Sequence, residues 1–228
     1  MILDLHVHSR YSYDSLSRPR DILKAAKRKG LTGIAIADHD TLKGSLEASK
    51  INEDKDFQVI PAIEAATDAG DIIGLFVSKD IGSQACIAVI EEIRAQGGIA
   101  VLPHPYRGHK LDDEIVSKVD VIEAFNSRDS KVHNAAALAL AKRWNKPVIG
   151  GSDAHFCLEI GSCRTVLGSE DVRSEIVAGN ARLESRQSPF TTHIMSFLVG
   201  SLRSRDLKDI LKEPAWYTAE AMRKRRSG

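Results

Sequence analysis

The sequence predicts an α/β fold in which a mainly parallel sheet closes, or nearly closes, into a (β/α) barrel. Short runs rich in Ile, Val and Ala alternate with longer amphipathic segments, which indicates parallel strands covered by helices on both faces. About seven such units follow one another without a Pro/Gly/Ser-rich linker, and that number favours a barrel over an open doubly wound sheet. The 228 residues are enough for one large domain with a well-buried core.

Each predicted strand is a short apolar run, and each predicted helix carries apolar residues at helical spacing. We expect strands at Ile2–Val7, Gly33–Ala37, Gln58–Ile63, Asp71–Val77, Gly98–Leu102, Asp120–Phe125 and Pro147–Gly150. We expect helices at Pro19–Lys29, Thr41–Ile51, Ser83–Gln96 and Lys131–Arg143. Gly30 is expected to end the first helix, because glycine readily adopts the backbone conformation that follows a helix.

The C-terminal part of the chain has a different pattern. Residues 1–184 carry the barrel pattern, whereas residues 185–228 contain no strand signal and are predicted to form a helical extension packed on the same domain. Its expected helices are the amphipathic segments His193–Leu202 and Asp206–Leu211. The basic run Arg223–Arg226 is interpreted as a solvated end, with a partner-binding or nucleic-acid-binding tail as the alternative.

Composition narrows the class of protein. A net charge of +1 gives no basic field that would attract nucleic acid, so nucleic acid is considered only as a substrate. The three cysteines form no CxxC pair, which fits a reducing compartment. The first residues lack the basic-then-apolar run of a signal peptide, and no apolar stretch approaches the roughly 20 residues of a membrane span. We therefore expect a cytoplasmic protein; its oligomeric state is left open.

Polar residues recur where predicted strands end. His6 and His8 are two residues apart on the first strand, so both side chains leave the same face. Buried strands do not tolerate such groups unless they are paired or bind a ligand, and the C-terminal rim of a barrel brings strand ends together. The other residues in this position are His39 after the second strand, Glu64 at the end of the third, His104 at the end of a later one, and Asp153 and His155 after the seventh.

These side chains suggest a metal site. Imidazole nitrogens and carboxylate oxygens are the ligands of Zn²⁺, Mn²⁺ or Fe. A carboxylate such as Glu64 can bridge two ions and screen their mutual repulsion. Two ions about 3.5–4 Å apart activate a water molecule and stabilise charge on a phosphoryl group. The residues therefore predict a hydrolytic metal site that acts on phosphoesters.

Each motif taken alone has a plainer explanation. An HxH pair can be two surface histidines, LPHP can mark a strand end, and GSDAH can be a turn. The ADHD turn suits a helix N-cap, and we expect Asp40 to be the cap and His39 a metal ligand. The joint occurrence of these motifs at strand ends is the basis for the metal prediction.

The segments DLHVHSRYSYDS, ADHD, the strand end at Glu64, LPHP and GSDAH, in this order, resemble the PHP (polymerase and histidinol phosphatase) superfamily. The resemblance extends from Asp4 to about Thr165. It implies a distorted seven-stranded TIM-like barrel, with the C-terminal helices packed on it, and a catalytic centre of two or three divalent ions (Zn, Mn or Fe). It also implies hydrolysis of phosphoesters by a metal-bound hydroxide.

The resemblance also implies the ligands. Asp14 stands where some members carry a histidine, so a third ion would meet an oxygen-rich site, which favours Mn²⁺ or Fe²⁺ over Zn²⁺ there. The implied sets are His6, His8, Glu64 and Asp153 for a first ion, Glu64 and His104 for a second, and Asp14, His39 and His155 for a third ion or for acid/base roles.

One departure from the family pattern affects the second ion. Trinuclear members carry a further histidine just after the Asn of the strand that here reads VIEAFNSR. At this place the chain has Asn126, Arg128 and Asp129, and His133 follows only later. His133 is left open as a ligand or as a residue on a helix surface, and the centre is left open as binuclear or trinuclear.

Substrate contacts are predicted from arginines near the mouth of the barrel. A guanidinium binds phosphate bidentately, and Arg107 in HPYR follows His104 closely; Arg128 is a second candidate. Arg107 would orient the phosphate, and His155, His39 or Asp14 would protonate the leaving oxygen.

The expected substrate is a small phosphorylated metabolite, a nucleotide or a short oligonucleotide, cleaved as a monoester or a diester. Histidinol-phosphate phosphatase is a narrower alternative of the same class. A catalytically silent PHP binding module and an amidohydrolase that cleaves C–N bonds are alternatives of other classes.

Overall fold

A computed structural model of the protein describes residues 1–204, which contain nine strands and seven helices. The strands are β1 (Ile2–Val7), β2 (Gly33–His39), β3 (Gln58–Thr67), β4 (Gly70–Leu75), β5 (Ile99–Leu102), β6 (Val121–Asn126), β7 (Val148–Gly151), β8 (Cys163–Val166) and β9 (Arg182–Ser185). The helices are α1 (Pro19–Arg28), α2 (Lys43–Ile51), α3 (Cys86–Ala95), α4 (Asp113–Lys118), α5 (Lys131–Arg143), α6 (Val172–Val177) and α7 (Phe190–Ser204).

The strands form one sheet in the order β7-β6-β5-β4-β3-β2-β1-β8-β9. The pairs β1/β2, β2/β3, β5/β6 and β6/β7 are parallel. The sheet curls until the segment after β7 meets the end of β1: Val7 and Ala154 form a parallel bridge, and the His8 amide donates to the Ala154 carbonyl over 2.8 Å. The predicted α/β barrel is therefore confirmed as a nearly closed one.

Strand β4 departs from the predicted parallel arrangement. It runs antiparallel to both β3 and β5, because β3 continues to Thr67 and returns through a tight hairpin with no crossover helix. Gly70, at φ +116°, is required there, since a Cβ would lie 2.4 Å from the ring of His109. The prediction that Glu64 closes its strand was wrong, because β3 extends three residues beyond it.

The sheet also gains two strands that the pattern did not predict. β8 pairs antiparallel with the beginning of β1, and β9 pairs antiparallel with β8. Both have only four residues and carry charged side chains, so neither gives a clear apolar run. Seven strands, β1 to β7, form the barrel wall, as expected, and β8 and β9 extend it at one edge.

Two β-bulges turn polar residues toward the barrel interior. Leu3 and Leu5 face the core inside the barrel, and the register of β1 shifts between Asp4 and Val7, which lets His6 point inward as well. The register of β6 shifts between Glu123 and Phe125. In a regular strand, side chains three residues apart leave opposite faces, and the bulge aligns Glu123 with Asn126 instead.

Apolar residues fill the barrel and the space outside it. The interior cluster includes Leu3, Leu5, Ala35, Ala37, Ile60, Ala62, Ile73, Leu75, Val101 and Val121. Outside the sheet, α1 and α2 cover one side, and α3, α4 and α5 cover the other. This packing leaves the rim that carries the predicted polar residues free of apolar filling.

Other local predictions have mixed outcomes. Asp40 is not the cap of α2: the helix begins at Lys43, the Leu42 amide donates to Asp80 over 2.7 Å, and Asp40 accepts from the Ala66 amide. The helix predicted at His193–Leu202 lies within α7. The segment Asp206–Leu211 and the basic run Arg223–Arg226 lie outside the described residues.

Between residues 1 and 204, no helix has both the length and the apolar character to cross a bilayer.

Candidate metal centre

A cavity of about 710 Å³ opens at the rim where the parallel strands end. Six of the eight predicted ligands line it, and His6 and His8 lie just behind them with no exposed surface. The structure thus brings together residues that are up to 149 positions apart in sequence, from His6 to His155. The six that line the cavity are Asp14, His39, Glu64, His104, Asp153 and His155.

The innermost cluster joins the end of β1 to the rim. The Nε2 atoms of His6 and His8 lie 3.1 Å apart, and each is within 3.4 Å of Oε2 of Glu64. Oδ1 of Asp153 lies 3.2 Å from Nε2 of His8 and 3.7 Å from Nε2 of His6. Donor atoms of His6, His8 and Glu64 therefore lie together at the base of the cavity, with Oδ1 of Asp153 next to the two histidines.

Glu64 connects this cluster to the rest of the centre. Its Oε1 atom lies 3.0 Å from Nε2 of His104. Its Oε2 atom also lies 3.3 Å from Nδ1 of His39, the last residue of β2. One carboxylate oxygen therefore lies near three imidazoles and the other near a fourth.

A third group lies at the outer side of the cavity. Oδ2 of Asp14, on the loop between β1 and α1, is 2.7 Å from Nε2 of His155 and 3.7 Å from Nε2 of His39. Nδ1 of His155 lies 2.9 Å from the guanidinium of Arg128 and 2.8 Å from the carbonyl oxygen of Asp153. Nε2 of His155 faces Asp14 and the cavity.

Asp71 is a candidate ligand that the sequence reasoning missed. Donor atoms of Glu64, Asp71 and His104 lie within 4.8 Å of one another. Asp71 stands at the start of β4, and a parallel strand would place it at the far end of the barrel. Because β4 is antiparallel, its beginning lies at the same rim as the ends of its neighbours. The DAGD turn was the available signal of a hairpin.

The charges of the cluster depend on this packing. Burial disfavours a charge on His6, yet the carboxylates of Glu123 and Glu64 raise its pKa well above the usual value. Burial and the imidazole of His155 lower the pKa of His8 to about 3, so His8 is neutral and offers a lone pair. In the absence of an ion, His6 therefore favours its protonated form, whereas His8 offers a free lone pair to a ligand.

The two central carboxylates are held ionised. Burial opposes this, but His6 and His39 bring the pKa of Glu64 well below its usual range. Arg107, followed by His6, does the same for the pKa of Asp153, and Nη2 of Arg107 donates to Oδ2 of Asp153. The centre therefore contains ionised oxygens next to unprotonated imidazole nitrogen.

Two further polar groups support His6 and Asp153. Oε1 of Glu123 lies 3.0 Å from Nδ1 of His6, which directs Nε2 into the cavity. The side-chain amide of Asn126 donates to Glu123 over 3.0 Å and to Asp153 over 3.2 Å. The signal for Glu123 was an acidic residue inside the apolar run VIEAF, which the sequence reasoning treated only as a strand.

Backbone strain coincides with the ligands. His104 and Asp153 have φ angles of +27° and +54°, values that non-glycine residues rarely adopt. Such conformations persist where surrounding contacts enforce them, and they concentrate at functional sites. Here the His104 amide donates to Glu123 over 2.9 Å and the Asp153 amide donates to the His6 carbonyl over 2.8 Å.

The other residues named from sequence are placed differently. Arg107 and Arg128 both line the cavity, but Arg128 is already bonded to Glu159, His155 and α7. His133 is absent from the cavity lining; its Nδ1 atom lies 2.8 Å from Asp129, one turn earlier in the chain. This position matches the interpretation of His133 as a residue on a helix surface rather than a metal ligand.

The donor set suits divalent cations. Four groups of three residues place one donor atom each within 4.8 Å of the others: His6/His8/Glu64, His6/His104/Asp153, Glu64/Asp71/His104 and His8/His39/His155. Oδ1 of Asp14 is buried and has no hydrogen-bond partner within residues 1–204. A buried oxygen without a partner is costly, and a bound cation would supply a partner for this one.

Fold and site together define a barrel protein with a buried centre of imidazoles and carboxylates. The chain matches the PHP domain model over residues 4–153 and the PHP-associated model over residues 131–180. The chain therefore belongs to the PHP domain family, as the sequence motifs indicated.

The chain is also similar to two relatives in sequence and to a solved structure in fold. An uncharacterized protein of Methanocaldococcus jannaschii is 38% identical over 153 residues, which is 60% of this chain and 89% of the relative. A second uncharacterized protein of that organism is 34% identical over 174 residues, 71% of this chain and 68% of the relative. A two-domain protein from Bacteroides vulgatus that contains a predicted PHP-like metal-dependent phosphoesterase superposes with a TM-score of 0.70 at 17% identity, covering 86% of this chain and 69% of that one.

Proposed function

We propose that this protein is a metal-dependent hydrolase of phosphoesters, with its catalytic unit in residues 1–184 and an extension from residue 185 onward. The observation that supports it best is the arrangement around Glu64, which has three imidazoles near Oε2 and that of His104 near Oε1, in a cavity that Arg107 also lines. Two or three divalent ions of the Zn, Mn or Fe kind would be held there. Their ligands would be His6, His8, Glu64 and Asp153 for the first, Glu64, Asp71 and His104 for the second, and Asp14, His39 and His155 for the third.

When bound, such ions supply an activated water molecule and neutralise charge on the phosphoryl group. The chain's own residues supply binding and proton transfer. Arg107 has donors to spare beyond its contact with Asp153, and it orients the phosphate from the wall of the cavity. In a centre of two ions, Nε2 of His155 faces the cavity 2.7 Å from Oδ2 of Asp14, so His155 would donate a proton to the leaving oxygen and Asp14 would hold its ring in place.

The size of the cavity supports a small substrate. Its size lies in the range of small-molecule sites, which extends from about 300 to about 1,000 Å³. We propose a small phosphorylated metabolite, a nucleotide or the end of a short oligonucleotide.

A metal analysis combined with an ester screen tests the function. Purified protein loaded with Mn²⁺, Fe²⁺ or Zn²⁺ is expected to hydrolyse para-nitrophenyl phosphate or its bis-ester, and chelation is expected to stop turnover. Preference for the monoester would indicate a phosphatase and preference for the bis-ester a phosphodiesterase. If ions bind but neither ester is cleaved, the proposal fails in favour of a binding module; cleavage of amides alone would indicate an amidohydrolase.

Replacing Asp71 by Asn is expected to weaken the second ion selectively. The change removes a charge from the group formed with Glu64 and His104. We expect the affinity for one ion to fall about 10- to 100-fold, as for loss of other metal-supporting groups. Ion stoichiometry by mass spectrometry and titration calorimetry measures this. Asp113→Asn, at an exposed residue paired with Arg143, is the control, and equal ion affinities in the two variants would contradict the assignment.

A further inference from the structure

Helix α7 forms part of the cavity that contains the candidate ligands. His193, Ser196, Phe197, Gly200 and Ser201 line the cavity together with the metal-site residues. None of these five carries a carboxylate, an ammonium or a guanidinium group. The surface that α7 presents to the cavity therefore differs in chemistry from the metal side, and we call these five residues the α7 wall.

The α7 wall is attached firmly to the catalytic rim. Arg128 donates to the Thr192 carbonyl over 2.9 Å and to Oγ of Ser196 over 2.7 Å. At the other end of the helix, Arg203 donates to the carbonyls of Ser12 and Ser15, each over 2.9 Å. These contacts tie α7 to the loop that carries Asp14, so the position of the wall relative to the ligands is defined.

His193 presents an unused polar atom in this wall. Burial and the nearby charge of Arg128 lower its pKa to about 4, so the ring is neutral near pH 7. Its Nε2 atom is buried and has no hydrogen-bond partner within residues 1–204. A buried polar atom without a partner is unfavourable, and a ligand that hydrogen-bonds to this nitrogen would remove that cost.

Two rings border the same space. Phe197 lines the cavity from α7, and Tyr13 lines it from the loop after β1, with its ring stacked on His39 at 4.9 Å between centroids. Aromatic side chains pack well on other flat rings, in offset-stacked or edge-to-face arrangements. Away from the metal ligands, this part of the cavity surface thus consists of uncharged aromatic rings and one nitrogen that can form a hydrogen bond.

We propose that the α7 wall selects the leaving group of the substrate: Phe197 packs on an uncharged planar ring, and His193 hydrogen-bonds to a polar atom of that ring. This inference rests on the proposed phosphoesterase function and adds its specificity. The phosphate would be held by the ions and Arg107. The preferred substrates are therefore phosphoesters of alcohols that carry a flat uncharged ring, over esters of small aliphatic alcohols.

Binding of phosphonates to metal-loaded protein tests the wall without turnover. Titration calorimetry is expected to find phenylphosphonate bound roughly tenfold tighter than methylphosphonate, an increment within the range of apolar pocket contacts. Phe197→Ala is expected to bring that ratio close to one, with methylphosphonate affinity changed less than about twofold. Because phenylphosphonate lacks a polar ring atom, His193→Leu is tested with pyridylphosphonates, of which the best is expected to lose its advantage over phenylphosphonate.

Leu198→Ala is the matched control, since Leu198 is exposed on the same helix and is absent from the cavity lining. Circular dichroism and thermal unfolding establish that each variant is folded. Turnover of ring esters without any phenyl-over-methyl preference would overturn the wall while leaving the phosphoesterase function intact. Phosphonate binding that depends on the α7 wall, without hydrolysis of any ester, would overturn the phosphoesterase function and leave the binding role of the wall intact. Failure of both phosphonates to bind would overturn both proposals.

Discussion

Replacing Glu64 by Gln is expected to reduce the turnover of the best phosphoester by at least roughly 10³-fold. The metal ions of such a site contribute several kcal/mol to transition-state stabilisation, and each 1.36 kcal/mol corresponds to a factor of ten in rate. Glu64 has the widest effect because its two oxygens contact three imidazoles on one side and His104 on the other. An amide keeps the shape of the side chain but loses the charge and the second acceptor oxygen.

The same variant has a readout that does not depend on turnover. An ion present at about 1,000 times its Kd stabilises the folded wild-type protein by about 4 kcal/mol, which raises Tm by roughly 8–16 °C for a chain of this size. Glu64→Gln is expected to lose most of this rise, together with at least one bound ion. Glu91→Gln, at an exposed glutamate, is the control. Full turnover by Glu64→Gln protein that retains no ions would refute the metal mechanism.

Glu159→Ala is expected to give the largest loss of stability. The side chain of Glu159 is fully buried, accepts from Arg128 over 3.1 Å and from Thr192 over 2.7 Å, and caps the amides of His155 and Phe156. Its removal leaves the guanidinium of Arg128 buried without its counter-charge, which costs about 3–5 kcal/mol. We expect Tm to fall by roughly 6–20 °C, measured by calorimetry at a fixed metal concentration.

Two comparisons separate this effect from general damage. Glu184→Ala breaks the exposed pair with Arg182 and is expected to cost less than about 1 kcal/mol. Adding Arg128→Met to Glu159→Ala removes the unpaired charge, so the double variant should be more stable than the single one. Equal unfolding free energies for Glu159→Ala and Glu184→Ala would contradict the role given to Glu159.

The sequence predicted the parts of the site that follow a simple spatial rule. His39, His104 and Asp153 come at or just after the ends of parallel strands, and such ends meet at one rim, so their proximity follows from the strand pattern alone. The barrel itself was predictable for the same reason, because alternating apolar and amphipathic segments leave few other ways to bury both faces of a sheet.

The residues that were missed depend on departures from that rule. Asp71 reaches the rim only because β4 reverses direction, and Glu123 and Asn126 share a face only because of a bulge. Neither a strand reversal nor a one-residue slip changes the apolar pattern enough to be recognised. The role of α7 depends on long-range contacts from Arg128 and Arg203, which local sequence does not encode.

The reversed direction of β4 changes the face of the barrel on which its first residues lie. In an all-parallel barrel, positions where strands begin lie on the face remote from chemistry, and variation there affects only folding. In this protein β4 is an exception, because the β3–β4 hairpin places the start of β4 at the rim that carries the candidate ligands. Lengthening or shortening the β3–β4 turn would therefore shift Asp71 relative to Glu64 and His104 while every parallel strand stays in place, so the length of one hairpin sets the spacing of these three side chains.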